Sequence, residues 1–379
     1  MIKWWARCNL FRDLFAVNSQ EVYSMTQINL DDQKLYAKTD PQGTLGRIKE
    51  LPMQFEQAWQ QIKSFNLPAS YRSVNKIVVL GMGGSAIGGD LARTLIQDEC
   101  KIPFIVYRDY GLPAFVDNNS LVIASSYSGN TEETLSGLEL ALKAGAKVVA
   151  VTTGGKVWDL AAKNNLPAFK ITYQAQPRAA LGFSFIPTLG IIQNLGLLKD
   201  KSADVAEAVS MLKHMGAALD EKIPEKSNPA KQMARWLYGN LPVVYGAGIA
   251  SEVARRWKGQ INENAKAWAF FEIFPELNHN ATVGFPLPKE IVSKIRVIML
   301  RSASYNNRVK LRYEVTSGLL QQAGVDYKYV DSQGSSLLAQ MAGLITMGDF
   351  VSYYLAMLYQ VDPTPVQVIN YLKEQLAKR

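Results

Sequence analysis

The sequence predicts an α/β fold of two similar units, each with a mostly parallel sheet and helices on both faces. Three observations support this prediction. Short runs rich in β-branched residues alternate with helical stretches through short connections. The same order of elements begins again after a charged stretch near the middle of the chain. The length of 379 residues suits two cores better than one, because single domains usually hold roughly 100–200 residues.

The first unit is expected to begin with a polar helical segment from Asp31 to Asn66, in which apolar residues recur at helical spacing. Strands and helices then alternate. The predicted strands are Lys76 to Leu80, Pro103 to Tyr107, Leu121 to Ser125, Lys147 to Val151 and Ala168 to Thr172. The predicted helices are Ala86 to Ile96, Thr131 to Lys143 and Phe183 to Leu198. Strand–helix alternation of this kind favours a parallel sheet that is covered on both faces.

The second unit repeats this layout with different residues. Helices are predicted from Pro229 to Tyr238 and from Ala250 to Ala265. Strands are predicted at Pro242 to Tyr245, Ala267 to Ile273, Arg296 to Leu300 and Tyr327 to Val330. We therefore expect four regions: an N-terminal extension at 1–30, a first domain at 31–200, a linker helix at 201–228 and a second domain with a C-terminal helix at 229–379. The extension is expected to be poorly ordered, or to reflect an early start with Met25 as the true beginning.

The composition argues against several classes of function. The two cysteines (Cys8 and Cys100) and two histidines (His214 and His279) are too few and too dispersed for a zinc or iron site. No uninterrupted apolar run reaches the roughly 18–20 residues that cross a bilayer. The net charge is +8, but Lys and Arg are spread along the chain without an RNA-binding motif. We expect a cytoplasmic protein that binds a phosphorylated small molecule, with no metal, membrane or nucleic-acid partner.

A glycine-rich segment, GMGGSAIGGD at 81–90, joins the first predicted strand to a helix. Glycines let an anion approach backbone N–H groups closely, and a helix N-terminus adds partial positive charge. The segment also fits the dinucleotide-binding pattern G-x-G-x-x-G/A, with Ala86 in the last place. Asp109, just after the next predicted strand, lies where such proteins bind ribose. The glycine segment alone therefore leaves a nicotinamide dehydrogenase open.

A hydroxyl-rich segment, SSYSGNTEET at 125–134, follows the third predicted strand and opens a helix. Ser126, Ser128 and Thr131 can direct three hydroxyl groups at one anion, each worth about 1.5–3 kcal/mol toward a charged acceptor. In another interpretation, Ser128 or Thr131 caps the helix. The two roles are compatible. Because a cap does not require so many hydroxyl residues and a glycine, the segment predicts a phosphate-binding loop.

Three further residues could carry chemistry. Arg178, in the segment QPRAALG, could stabilise a substrate oxygen or a developing negative charge. Glu263 lies in NENAK and His279 in PELNHN, and a carboxylate with a histidine is enough for proton transfer. The residues alone leave other interpretations open. Isolated arginines and helix-end glutamates are usually solvated, and single histidines are often structural.

Taken together and in order, the motifs GMGGSAIGGD, SSYSGNTEETL, PRAALG, NENAK and PELNHN resemble the bifunctional phosphoglucose/phosphomannose isomerase family of the sugar isomerase (SIS) superfamily. The first two motifs are shared by SIS proteins in general, whereas NENAK and PELNHN are more specific. The resemblance runs from about Lys76 to the C-terminus. It implies two tandem SIS domains with a three-layer αβα architecture. It also implies a homodimer that interconverts glucose 6-phosphate, mannose 6-phosphate or both with fructose 6-phosphate through a cis-enediol, without metal or cofactor.

The resemblance further implies a role for each site residue. Glu263 would move a proton between C1 and C2, and Arg178 would stabilise the negative charge of the intermediate. His279 from the neighbouring subunit and Lys373 from the C-terminal helix would assist ring opening. For Lys373, a solvated cation at a helix end stays open as an alternative. The substrate phosphate would be held by Gly84, Ser85, Ser126, Ser128 and Thr131.

Two other classes of function stay open on the residues alone. A SIS-type regulator that binds a sugar phosphate without converting it would keep both phosphate-binding segments and would not need the pair Glu263 and His279. A NAD-dependent dehydrogenase would use Gly81, Gly83 and Asp109, but it would leave the hydroxyl-rich segment without a role.

Overall fold

A computed structural model describes residues 28–378, so the predicted extension at 1–30 lies almost wholly outside the described residues. Three short helices precede the first sheet: α1 (Gln33–Thr39), α2 (Thr44–Lys49) and α3 (Leu51–Lys63). The side chain of Asp32 accepts a hydrogen bond from the backbone N–H of Lys34 and so caps α1. Buried residues of α3, among them Phe55 and Ile62, pack the segment onto the first unit.

The first sheet has five parallel strands in the order β2-β1-β3-β4-β5. Its strands are β1 (Lys76–Leu80), β2 (Phe104–Tyr107), β3 (Ser120–Ser126), β4 (Lys147–Thr152) and β5 (Ala168–Lys170). Its helices are α4 (Gly83–Ile96), α5 (Glu132–Lys143), α6 (Gly155–Lys163) and α7 (Gly182–Asn194). Ile77 and Val79 lie in one apolar core, and Val78 and Leu80 lie in another. Since neighbouring strand residues point to opposite faces, both faces of this sheet are covered.

The second sheet has four parallel strands in the order β7-β6-β8-β9. The helix α8 (Ser202–Ala218) precedes it. Its strands are β6 (Leu241–Gly246), β7 (Phe270–Ile273), β8 (Ile295–Arg301) and β9 (Asp326–Asp331). The helices among them are α9 (Pro229–Leu237), α10 (Ser251–Asn264), α11 (Lys289–Val292) and α12 (Asn307–Gln322). The first four strands of each sheet follow the same spatial order, which confirms the predicted α/β fold with two similar units.

The helix α13 (Leu337–Leu358) forms the centre of the second unit. It is long and apolar enough to cross a membrane, but its apolar window is completely buried within the fold. The helices α8, α9 and α10 pack against it. Thus α8, in the region predicted as a linker, buries Val205, Ala208 and Leu212 in the shared core. The last helix, α14 (Gln367–Leu376), has no buried residue.

Several element ends differ from the sequence prediction for local reasons. The helix α7 ends at Asn194 rather than Leu198, because Gly196 has a positive φ of 79°. The strand β7 begins at Phe270 rather than Ala267, because Lys266 adopts a left-handed conformation with φ of 54°. The edge strand β5 ends at Lys170, where its pairing with β4 stops. The helix α6 was not predicted.

Candidate functional site

The loops after β1 and β3 lie side by side at the carboxyl edge of the first sheet. In the sheet, β2 lies on one side of β1 and β3 lies on the other, so the strand order reverses at β1. The loops after β1 and β3 flank this point, where α/β sheets usually bind their ligands. Ser85 Oγ accepts a hydrogen bond from the backbone N–H of Tyr127 at 3.0 Å. The glycine-rich and hydroxyl-rich segments are therefore in direct contact.

Hydroxyl groups cluster in the loop after β3. Ser126 Oγ and Thr131 Oγ1 are 2.9 Å apart, and the backbone N–H of Gly129 donates to Ser126 Oγ at 3.1 Å. Ser128 Oγ accepts from the backbone N–H of Asn130. Ser85 and Ser126 are buried, whereas Ser128 is exposed. The structure thus brings together the predicted phosphate-binding hydroxyls, and we call Gly84, Ser85, Ser126, Ser128 and Thr131 the cradle.

Two helices begin at the cradle without a side-chain cap. Thr131 precedes α5 but makes no capping hydrogen bond, because its hydroxyl is directed to Ser126. Met82 precedes α4 and has no capping side chain either. The capping alternative considered for Thr131 is therefore not realised. Backbone N–H groups in the first turns of both helices stay available, and helix N-termini attract anions.

Arg178 lies directly beside the cradle, in a turn between β5 and α7. A Cβ atom added to Gly84 would lie 2.7 Å from the carbonyl oxygen of Pro177 and 3.1 Å from the backbone nitrogen of Arg178. Ser184 Oγ also donates to the carbonyl oxygen of Gly84 at 3.1 Å. Only a glycine at position 84 lets the backbone of Pro177 and Arg178 come this close to α4. The glycine-rich segment therefore sets the position of Arg178 in addition to offering an anion site.

The guanidinium of Arg178 is buried, with 5% of the residue exposed, and it meets the second unit. Its Nε donates to Asn264 Oδ1 at 2.8 Å. Its Nη2 donates to the carbonyl oxygens of Pro363 and Thr364 at 2.6 and 2.8 Å. Its Nη1 lies 3.4 Å from Glu263 Oε2. Burial lowers the pKa of Arg178, while the charge of Glu263 opposes that shift.

Lys266 is a site residue that the sequence prediction did not single out, although it ends the motif NENAK. Its Nζ donates to the carbonyl oxygens of Glu263 at 2.6 Å and Pro363 at 3.1 Å. Burial of the amine, followed by the positive charge of Arg178, lowers the pKa of Lys266 to about 8. Its left-handed backbone turns the side chain back over the end of α10, a feature that residue pattern alone did not indicate.

A buried ion pair supports the Arg178 turn from behind. Arg256 Nη2 donates to Asp349 Oδ1 and Oδ2 at 2.9 and 2.7 Å, and to the carbonyl oxygen of Arg178 at 3.3 Å. Gln260 Nε2 donates to the same carboxylate. Burial raises the pKa of Asp349, and the charge of Arg256 opposes this. The pair fixes the backbone from which Arg178 extends.

His279 and Lys373 are not brought to this site within one chain. His279 is exposed in a short 3₁₀ turn, Glu276–His279, after β7. Lys373 is exposed on α14. Across residues 28–378, neither side chain makes a hydrogen bond or ion pair with Arg178 or Glu263. Their predicted roles are therefore not tested by the contacts of a single chain.

The equivalent position in the second unit is filled by an aromatic side chain. The crevice between β6 and β8 would lie next to Gly248, but the Tyr305 ring packs 3.6 Å from a Cβ placed there. Tyr305 is buried and contacts Tyr313. Ser302 Oγ in the adjoining loop donates to Gln340 Oε1. The second unit instead supplies Glu263 and Asn264 to Arg178 of the first unit, with Lys266 next to Glu263.

The arrangement can bind an anion and move a proton next to it. The cradle offers hydroxyl and backbone donors, and Glu263 is a carboxylate with a third of its side chain exposed to the cleft. Arg178 can stabilise negative charge that develops nearby. Among the described residues there is no group of three or more His, Cys, Asp or Glu side chains suited to hold a metal ion.

Both units match known domain families. Residues 70–169 match the SIS domain model, and residues 226–376 match the model described as the bacterial phospho-glucose isomerase C-terminal SIS domain. The chain is 44% identical to the bifunctional phosphoglucose/phosphomannose isomerase of Caldicellulosiruptor bescii over 87% of this chain and 98% of that protein. It is 38% identical to the protein of the same name from Aquifex aeolicus, over 80% of this chain and 90% of that one.

Solved structures with the same fold are more distant in sequence. A hypothetical protein of Thermus thermophilus aligns with a TM-score of 0.69 at 19% identity, covering 91% of this chain and 92% of its own. Tagatose-6-phosphate ketose/aldose isomerase from Escherichia coli aligns with a TM-score of 0.64 at 15% identity, covering 85% and 95%. At these identities, the likeness supports the fold alone.

Proposed function

The chain belongs to the bifunctional phosphoglucose/phosphomannose isomerase family, and we propose that it interconverts glucose 6-phosphate and mannose 6-phosphate with fructose 6-phosphate. The family resemblance stated from the motifs is confirmed, as are the two SIS domains. Neither a dehydrogenase nor a non-catalytic regulator is favoured by these relatives. The domain boundaries given above and a cytoplasmic location are part of the same proposal.

One observation carries the proposal: Arg178, whose turn packs against Gly84 of the cradle, has its Nη1 3.4 Å from Glu263 Oε2. Aldose–ketose isomerisation requires a base that can reach C1 and C2 and a cationic group that stabilises the enediolate. In our proposal the cradle binds the phosphate far from the reacting carbons, and this binding orients the sugar for proton transfer.

The proposed steps move protons on carbon and on oxygen. Glu263 takes the proton from C2 of the open-chain aldose and returns it to C1, while the hydroxyl proton on O2 passes to O1, giving the ketose through a cis-enediol. Arg178 stabilises the negative charge on the enediolate oxygens. Lys373 and His279 transfer the ring-oxygen proton during ring opening. Both reactions need only these side chains, since glucose and mannose 6-phosphate differ at C2 and share the same enediol.

We also propose a homodimer in which His279 of each chain serves the site of the other. Exposed apolar residues lie on α12 and in the segments before and after the His279 turn, and exposed apolar surfaces of this kind usually mark contact surfaces. They comprise Trp268, Phe270, Val283, Leu287, Leu311, Val315 and Leu319. The last three are four residues apart on α12, and Asn278 beside His279 donates to Thr316 Oγ1 of that helix at 2.8 Å. We call this surface the α12 face.

The test is turnover of glucose 6-phosphate and of mannose 6-phosphate to fructose 6-phosphate by purified protein in EDTA. We expect both sugars to be converted. Conversion of only one sugar phosphate would still support the proposed mechanism and would restrict the substrate to that sugar. Binding of either sugar phosphate without conversion would contradict the proposal and favour a sensor of sugar phosphates.

A further inference from the structure

A cavity of about 250 Å³ with polar and apolar walls lies between the two units, on a side of Arg178 that the mechanism does not use. Its walls include Arg178, Asn264 and Thr364, but none of the five cradle residues and not Glu263. The other polar wall residues come from the N-terminal segment, the loop before Arg178, α10 and α13: Gln42, Thr44, Arg47, Gln174, Gln176, Arg256, Gln260 and Asp349. The cavity is therefore separate from the cradle and shares one wall with it.

Arg256 is a buried residue of the cavity wall. The residue is 4% exposed, and Nη2 makes all of its hydrogen bonds within the described residues. Its Nε is buried without a partner. Arg256 therefore adds a buried positive charge to the cavity wall, held in place by Asp349.

The charges on the walls favour an anion over a cation or a neutral molecule. Three arginines and one carboxylate line the cavity, which leaves two positive charges in excess on its surface. Two of the acidic partners of these arginines, Glu50 and Glu263, lie outside the walls and are 40% and 33% exposed, so solvent screens them. Guanidinium groups match the geometry of phosphate and carboxylate oxygens.

The cavity can be reached from solvent and has a suitable size. Gln42 and Gln174 line it and are exposed. Ligand pockets for larger molecules usually measure about 300–1,000 Å³, so this volume fits a small ligand. We propose that the cavity binds a small multivalent oxyanion, either inorganic phosphate or a compact polycarboxylate, and that its occupation slows isomerisation.

The effect on turnover follows from the shared arginine and rests on the proposed function. An anion in the cavity would lower the positive potential that Arg178 presents to Glu263 and to the enediolate. Because coupling between two binding sites is reciprocal, sugar phosphate and oxyanion should weaken each other's binding without competing for the same atoms. This is inhibition that excess substrate does not fully overcome.

The test compares inhibition patterns in three proteins at constant ionic strength, with inorganic phosphate and with citrate as separate probes. In the wild type, phosphate should raise KM through the cradle and also lower kcat through the cavity. Arg47→Met removes one wall charge, and Ala175→Leu fills the cavity at a lining residue outside the catalytic groups. Both variants should weaken the kcat effect at least about tenfold, the scale of losing one charged hydrogen bond, and should leave the part of the KM effect that comes from competition at the cradle. Thermal melting checks that both fold.

Calorimetry separates this inference from the proposed function. The wild type should bind two phosphates, Ser126→Ala should lose the cradle phosphate, and Ala175→Leu should lose the other. If these phosphate stoichiometries are found but no sugar phosphate is converted, the oxyanion site would be supported and the proposed isomerase activity would be contradicted. Turnover with purely competitive inhibition by both probes, or a kcat effect unchanged in both cavity variants, would overturn the oxyanion site. An effect of citrate alone would identify the ligand class as polycarboxylate.

Discussion

At the scale of single residues, Arg178 shows why this position requires an arginine. Two of its three nitrogens are fixed by Asn264 and by the carbonyl oxygens of Pro363 and Thr364. Only Nη1 is left for Glu263 and for substrate. A lysine ammonium is a single point donor and could not hold the second unit while presenting a donor to the site. Arg178 thus joins the two units and, at the same time, directs its positive charge toward Glu263.

Glu263→Gln tests the proposed base directly. The amide keeps the size and the contact with Arg178 but cannot accept the C2 proton, so kcat should fall by roughly 10²–10⁴-fold, the usual contribution of a general base. Binding of sugar phosphate, measured by calorimetry, should change little because the cradle is intact. Glu139→Gln, at an exposed position on α5, is the matched control. Full activity of Glu263→Gln would contradict the assignment of Glu263 as the base.

Lys266 predicts an alkaline limit to activity. Its pKa of about 8 results from burial and Arg178, against the opposing charges of Asp362 and Glu263. As the pH rises through 8, the ammonium loses its charge, the positive potential around Arg178 falls, and kcat should decline. Lys266→Arg keeps the charge and should shift this decline to higher pH. Lys258→Arg on α10, the helix that precedes Lys266, should leave the pH profile unchanged.

The same pKa shift has a consequence for stability. In the folded chain Lys266 loses its proton at about pH 8, while an unfolded lysine holds it until about 10.5. Between these values the unfolded state binds more protons, so the Lys266 contribution to the free energy of unfolding should rise with pH. Unfolding in urea at pH 8 and pH 10 would measure it. Lys266→Arg should abolish this part of the difference.

At the scale of elements, Gly84 controls how close the Arg178 turn comes to α4. Gly84→Ala would place a methyl group 2.7 Å from the Pro177 carbonyl oxygen, which must move. We expect kcat/KM to fall by at least about tenfold, since small displacements of positioned groups cost large factors in rate. Gly216→Ala in α8 is the control, because nothing lies within 4 Å of its added Cβ. It should stabilise the helix by about 0.5–1 kcal/mol. Equal activity of both variants would contradict the positioning role.

The order of elements could be predicted from the sequence because it follows from local pattern. The buried run Lys76–Leu80 and the loops after β1 and β3 carry their own signals of β-branched residues, glycines and hydroxyls. The helix α8 was placed in a linker because its charged face is visible in the sequence, whereas its partner α13 is more than a hundred residues away. The burial of Val205 and Leu212 depends on that distant contact.

The candidate site was predictable in part for the same reason. The cradle residues come from two short motifs whose spacing brings them to one edge of the sheet. The contact between Arg178 and Glu263 joins residues 85 positions apart and could be named only through the family resemblance. Lys266 was missed because its left-handed backbone, and not its type, directs it to Pro363.

At the scale of the whole molecule, the two units have divided their tasks. The first keeps an open crevice for an anion, while Tyr305 fills the same crevice in the second, which supplies Glu263 instead. The α12 face on the second unit stays uncovered in a single chain. Proteins that expose such a surface usually bury it against a partner, and a two-fold dimer would bury it twice.

Charges on the α12 face should therefore separate the subunits. Val315→Glu combined with Leu319→Glu would place four carboxylates in a two-fold interface, and sedimentation should show a monomer where the wild type is a dimer. Activity should fall in parallel because His279 would no longer reach a partner site. Leu140→Glu, at an exposed apolar position on α5, should remain dimeric. A monomeric wild type, or a charged variant that stays dimeric, would exclude this face as the interface.

Mixing two inactive variants tests whether His279 crosses to the partner's site. In a dimer of one Glu263→Gln chain and one His279→Ala chain, a crossed arrangement makes one site doubly defective and the other fully wild type. Random exchange between equal amounts should restore about a quarter of the wild-type activity, because half the dimers are mixed and each has one intact site. If His279 served its own chain, every site would carry one substitution and activity would stay at the level of the separate variants. Co-expression with two affinity tags isolates the mixed dimer, whose activity should be about half that of the wild type.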